Sequence, residues 1–156
     1  MRAVDTNVLV RLLTRDDPKQ AAAADAFVQS GAWVSVLALA EATWVLGAVY
    51  DRNAAQVARA VEMLLNHQCL TLQEPEAVAA ALETFRRRPA LGFSDCLLVE
   101  LARKAGHLPF GTFDRNLSSQ QRCYCRFIVN WPFVIAPPQD CCCDIMPDIM
   151  PDIWPP

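Results

Sequence analysis

Hydrophobic positions in this chain fall into two patterns: runs too short for anything but strands, and longer stretches with helical spacing. Arg2-Ala3-Val4 reads as a very short strand that ends on the carboxylate of Asp5. Thr6 is expected to cap the helix that follows, which carries Leu9, Leu12 and Leu13 on one face. Asp17 followed by Pro18 marks a second helix start, and the Ala-rich run to Gln29 turns Ala24, Phe27 and Val28 inward until Ser30-Gly31 ends it. Ala32-Trp33-Val34 is a second strand. Ser35 then caps a long helix from Val36 to about Tyr50, with Leu39, Thr43, Leu46 and Tyr50 on one stripe. Asp51-Arg52-Asn53 is a turn whose Asn53 caps a fourth helix, built on Val57, Val61, Leu64 and Leu65, so the two helices form an αα-hairpin.

Leu70-Thr71-Leu72 repeats the strand pattern, and Glu74-Pro75 opens a helix with Val78, Leu82 and Phe85 inward. That helix finishes in Arg86-Arg87-Arg88 and stops at Pro89; cations at a helix C-terminus complement its dipole. After the loop Ala90-Leu91-Gly92-Phe93, Ser94 is expected to cap a helix with Leu97, Leu98, Leu101 and Ala102 as its apolar face and Gly106 as its end. Leu108 to Phe113 is a strand-like run that ends on Asp114, with Arg115-Asn116-Leu117 as a helical turn. Strands that alternate with helices in this way imply an α/β domain with a parallel sheet. Arg126-Phe127-Ile128-Val129 reads as one last strand. Beyond about Trp131 the repeats Asp144-Ile145-Met146-Pro147, Asp148-Ile149-Met150-Pro151 and Asp152-Ile153-Trp154-Pro155 can form neither helix nor ladder strand, and the tail is expected to be poorly ordered. A shifted reading frame or an appended extension would explain it.

Composition sharpens the class. A chain of 156 residues, 53% hydrophobic and 20% charged, suits one packed domain and argues against disorder. No apolar run is long enough to span a membrane and the N-terminus does not read as a signal peptide, so the expected location is cytoplasmic with reduced thiols. The cysteines crowd toward the C-terminus, their odd count of seven leaves one unpaired, and Cys141-Cys142-Cys143 lacks zinc-ligand spacing. From Met1 to Arg122 the charges cancel, and the four aspartates after Arg126 supply the net −3. A neutral body disfavours a broad nucleic-acid surface but leaves room for a local basic patch.

Four acids stand out by position: Asp5 and Asp114 at strand ends, Glu41 in an apolar helix, and Asp95 in the first turn of another. Each has a bland reading alone: Asp5 as a helix cap, Asp95 as a helix-start acid, Asp114 as a turn residue. Glu41, amid Ala, Leu and Trp, has none. A parallel sheet gathers strand C-termini and helix N-termini at one edge, where ligands bind. Two carboxylates held ~4 Å apart at an effective dielectric of 20 repel by about 4 kcal/mol, so such a cluster needs protonation or a divalent cation. Oxygen ligands without Cys or His favour Mg²⁺ or Mn²⁺, which suits phosphodiester cleavage. Dinucleotide and NTP binding are poor alternatives, since neither glycine-rich motif is present. A phosphatase with Asp5 as nucleophile would want an acid where Asn7 stands.

Taken together, Val4-Asp5-Thr6-Asn7, Glu41 in its helix, Ser94-Asp95, and Thr112-Phe113-Asp114 with Leu117 resemble a PIN domain, and within that group the VapC-type ribonuclease toxins of bacterial toxin–antitoxin pairs. The likeness spans about Met1 to Ser119; the combination in this order and spacing is specific, whereas any single piece is not. It implies a PIN-like three-layer α/β fold, a short mostly parallel sheet flanked by helices, over residues 1–130, with 131–156 as an atypical tail. It further implies a Mg²⁺- or Mn²⁺-dependent endoribonuclease acting on single-stranded or looped RNA, a homodimer, and a small antitoxin partner. By motif match Asp5, Glu41, Asp95 and Asp114 are the catalytic and metal-holding acids, and Thr6, Asn7, Ser94, Thr112 and Asn116 supply polar support. Arg86, Arg87 and Arg88 are either a solvated helix end or an RNA contact, and Trp44 and Tyr50 are core residues or contacts to an antitoxin or second subunit. The tail departs from the family, which ends soon after a final short strand, and the alternative is a catalytically silent PIN-like binding module.

Overall fold

The computed structural model describes residues 1–112 and 114–118. The expected last strand at Arg126–Val129, the boundary near Trp131 and the tail lie outside them, as does Phe113. Three short strands, β1 (Arg2–Val4), β2 (Ala32–Val34) and β3 (Leu70–Leu72), pair in parallel in the order β1-β2-β3. The register sets Val4 beside Val34 and Val34 beside Leu72. The period-two pattern decides which face is buried: Val4, Ala32, Val34, Leu70 and Leu72 are inside, while Ala3, Trp33 and Thr71, neighbours across the same register, are exposed.

Each crossover is a pair of helices. Helices α1 (Thr6–Thr14) and α2 (Pro18–Val28) join β1 to β2, and α3 (Val36–Ala48) and α4 (Ala54–Leu65) join β2 to β3. Helices α5 (Pro75–Arg87) and α6 (Phe93–Lys104) follow as a closely packed pair, and α7 (Arg115–Ser118) is a single turn. No helix among the described residues is long and apolar enough to cross a membrane. The core runs through Leu9, Val34, Leu39, Val61, Val78 and Cys96, each essentially inaccessible to water. Capping chemistry sets most boundaries. Asp17 accepts the N–H groups of Lys19 and Gln20 ahead of Pro18, Ser35 accepts Ala38 N–H, and Asn53 and Gln56 form a reciprocal capping box.

Four local expectations need correction. Asp5, not Thr6, caps α1: its carboxylate accepts Val8 N–H at 3.0 Å, because the Thr6 hydroxyl is engaged elsewhere. Gly92, not Ser94, caps α6, so the helix begins at Phe93 and Asp95 is its third residue. The buried face of α6 is accordingly Phe93, Cys96, Leu97 and Val99, and Leu98 is left half in water. Residues 108–112 form no strand; Pro109 has no N–H to give a ladder and Gly111 adds backbone freedom.

Candidate functional site

Parallel strands deliver successive helix N-termini to the same sheet edge, and here β1 and β2 place the starts of α1 and α3 side by side. One side-chain bond makes use of that placement. Thr6, the first residue of α1, donates its hydroxyl to Glu41 Oε2 at 2.6 Å, across 35 residues of chain. The short distance is that of a hydroxyl–carboxylate bond, stronger than a neutral one. It restricts the rotamers of an otherwise exposed glutamate. Asp5 lies next to Thr6, exposed, with one oxygen on Val8 N–H. The start of α3 is itself pinned to the end of β3, since Gln73 Oε1 accepts Val36 N–H at 3.1 Å and Gln73 N–H donates to Val34 O at 2.8 Å.

Asp95 belongs to the first turn of α6, a helix that packs on both α3 and α5. The turn is anchored from below by Phe93, whose ring meets Phe85 edge-on with centroids 6.0 Å apart, and by buried Leu91. Asp95 is half-buried and folds back toward the helix start: Oδ2 stands 2.9 Å from where a Cβ on Gly92 would be. Ser94 is half-buried beside it. Burial, with the Asp95 charge adding to it, pushes the neighbouring Cys96 thiol up to about 11, so that sulfur stays protonated and inert.

Asp114 is exposed and immediately precedes α7, accepting Asn116 N–H on Oδ1 at 2.8 Å while its own N–H donates to Thr112 Oγ1 at 3.1 Å. Thr112 and Asn116 thus hold Asp114 in a local turn. Asn7 is exposed on the first turn of α1.

The donor set, carboxylates and hydroxyls without Cys or His, has the chemistry of a hard-cation site. Charge supports this. Asp16, Asp25, Glu62, Glu74, Glu76, Glu83 and Glu100 each stand in a salt bridge. Among the described residues Asp5, Glu41, Asp95 and Asp114 stand in none, and the same holds for Asp51 and for Asp17, which caps α2. The geometry is more open than the donor chemistry: among the described residues no three His, Cys, Asp or Glu side chains are grouped closely enough to hold an ion. What is brought together is Thr6 with Glu41, alongside Asp5.

The remaining sequence candidates divide. Arg86 on α5 bridges to Glu62 on α4 at 2.7 Å and pairs with Glu83 of its own helix at 3.6 Å, and the Glu62 bond holds its guanidinium above its ordinary pKa. Arg87 Nε donates to Glu83 O, and Arg88 ends the helix through its N–H to Thr84 O and Phe85 O. Trp44 is 65% exposed on α3, whereas Tyr50 is half-buried, donating to Asp16 at 2.8 Å and accepting from Arg11 at 3.1 Å. Two features escaped the sequence: the Thr6–Glu41 bond, and the closeness of the Asp95 carboxylate to the space a side chain at position 92 would fill. The first left no local signal. The second left one, a glycine where a capping Ser or Asn is the usual choice.

A family model described as PIN domain matches residues 2–122. No curated protein and no solved structure matches the chain.

Proposed function

The chain belongs to the PIN domain family, whose members are generally nucleases that use divalent ions and are often toxins of toxin–antitoxin systems; on that premise we propose that it is a metal-dependent endoribonuclease of the VapC type. Its substrate is single-stranded or looped RNA, and Asp5, Glu41, Asp95 and Asp114 are the acids that hold Mg²⁺ or Mn²⁺. The observation that carries the reading is the Thr6–Glu41 bond beside Asp5, in a molecule whose other surface acids mostly have cationic partners. A bound ion supplies an acidified water and neutralises charge on the phosphodiester.

The chain's own contributions are binding and orientation. Thr6 keeps Glu41 from swinging into solvent, and the α1 cap keeps Asp5 at the strand end. Thr112 and Asn116 fix the turn that presents Asp114. Asn7 and Ser94 offer neutral hydrogen-bonding groups beside the acids, which add no further negative charge to repel phosphate. Arg86, Arg87 and Arg88 are exposed at the end of α5 and suit RNA backbone phosphates. Exposed Trp44 suits contact with an antitoxin or the second subunit of a homodimer. The toxin role places the protein in the cytoplasm.

The test is cleavage of a single-stranded RNA by the purified full chain. Cleavage in millimolar Mn²⁺ that EDTA stops is the expected result. One observation favours the second reading, a silent PIN-like binding module: no three acids are grouped among the described residues. RNA binding without cleavage at any Mn²⁺ concentration would establish that reading instead.

A further inference from the structure

A cleft of about 350 Å³ opens between α4 and the end of α5. Ala55 and Pro89, both exposed, give it apolar walls, and the largely buried Phe85 lines it as well. Arg59, Glu62 and Arg86 supply its charge. Glu62 is held by Arg86 at 2.7 Å, so two cations against one acid leave a positive charge over. Arg59 is exposed and stands in no salt bridge among the described residues. The cleft is also tied to the start of α6. The Phe85 ring meets Phe93 edge-on at 6.0 Å, and Phe93 is two residues before Asp95. The link between the helices, which contains Pro89, is closed by Leu91 N–H donating to Arg88 O at 3.0 Å.

We propose that this cleft is a subsite for one unstacked nucleotide of a single-stranded RNA, with its phosphate on Arg59, its base against Ala55 and Pro89, and a sugar hydroxyl or base amino group donating to Glu62. This rests on the reading of RNA as the substrate and needs no bound metal. The volume lies at the small end of the roughly 300–1,000 Å³ of ligand pockets, so it admits one group and no duplex. Single-stranded RNA is recognised through splayed bases, their edges and the 2′-hydroxyl, laid against flat or apolar side chains. The carboxylate decides the class of ligand. An acidic protein segment would answer the arginines and find no use for Glu62, whereas a nucleotide carries both a phosphate and donor hydrogens. Arg87 and Arg88, exposed beside the cleft's Arg86, continue the basic run along the same helix end.

The test is fluorescence anisotropy of a short labelled single-stranded RNA with the full chain in EDTA, where binding is read without cleavage. Arg59→Gln should weaken binding and lower the slope of log affinity against log salt by about 0.7, the share of one phosphate on a single strand. Ala55→Leu fills the cleft at unchanged charge and should weaken binding about tenfold, the scale of one base contact. Both positions are exposed on a helix, so melting temperatures should hold. Lys19→Gln removes one exposed cation on α2 and should bind as the wild type does. Wild-type affinity in both cleft variants would overturn the proposal, and Mn²⁺-dependent cleavage by the same proteins would then leave the nuclease reading standing. Equal losses in Arg59→Gln and Lys19→Gln would also overturn it, since general charge would then explain binding. So would a wild-type dimer that Ala55→Leu converts to monomer with RNA affinity unchanged, which would make the cleft an interface between copies. Weakened binding in both cleft variants of a chain that never cleaves would support the subsite and sink the nuclease reading. No RNA binding by the wild type would overturn both.

Discussion

Asp5 and Asp16 flank the same helix, α1, and their surroundings are opposite. At the C-terminal end both oxygens of Asp16 are taken by protein donors: Arg11 Nη1 reaches them at 2.7 and 2.6 Å, Thr14 donates at 2.9 Å and Tyr50 at 2.8 Å. At the N-terminal end Asp5 has one backbone N–H and no cation among the described residues. Each end also carries a side-chain bridge between α1 and the α3 region, Arg11 to Tyr50 at one and Thr6 to Glu41 at the other. The two ends are thus pinned by similar bonds, yet only one has its acids neutralised. The difference teaches that negative charge at the α1–α3 start is kept open, while the same charge at the far end serves the fold.

The largest expected effect comes from removing that open charge. Asn caps a helix as well as Asp does, so Asp5→Asn keeps the bond to Val8 N–H and changes only the ionic character. Cleavage of single-stranded RNA in Mn²⁺ should fall by roughly a hundredfold or more, the scale of losing a group that stabilises transition-state charge. The melting temperature in EDTA should hold or rise. Wild-type cleavage rates for this variant would place the chemistry elsewhere.

The reverse pattern is expected at Asp16. Hydrogen bonds from Arg11 first, then Tyr50 and Thr14, hold its carboxyl well below the usual carboxylate range. A depressed folded-state pKa means the unfolded chain binds the extra proton, so this stabilisation is present above the unfolded value of about 3.9 and is lost as pH falls below it. Asp16→Asn should therefore melt below the wild type at pH 6, and the gap should begin to narrow only below about pH 4, as the pH falls from the unfolded value toward the depressed folded-state value. RNA cleavage by the folded variant should be retained. Thermal melts of both proteins across that range check it; a gap independent of pH would mean the carboxylate charge is not what matters.

The smallest effect is the finest test of the comparison. Thr6→Val keeps the side chain's shape and removes the donor to Glu41. Loss of one partly exposed hydrogen bond should cost about 1 kcal/mol, the usual net worth of such a bond. The Mn²⁺ requirement for cleavage should rise several-fold, because Glu41 is then free to turn into solvent. A stability loss without any change in Mn²⁺ dependence would make this bridge a structural twin of the one at Tyr50.

Most of this frame can be read in the chain. Helical spacing marks the inward faces of α4 and α5, and Asp17-Pro18, Ser35 and Asn53 announce their helices because capping is a contact between near neighbours. What escaped was decided by contacts distant in sequence or by competition for one group. Thr6 looks like the cap of α1 until Glu41, 35 residues on, takes its hydroxyl and leaves the role to Asp5. Leu98 looks buried until Gly92 starts α6 early and Phe93 takes the core position. The acids were visible as a set through their order and spacing. How they sit relative to one another depends on helix packing, which no local pattern encodes.

The most direct test of the open end is calorimetric titration of Mn²⁺ into the metal-free full chain and into Asp5→Asn. The account predicts saturable binding in the wild type, lost or sharply weakened in the variant, while Asp16→Asn binds as the wild type does. Equal binding by wild type and Asp5→Asn, or no binding by either, would contradict it.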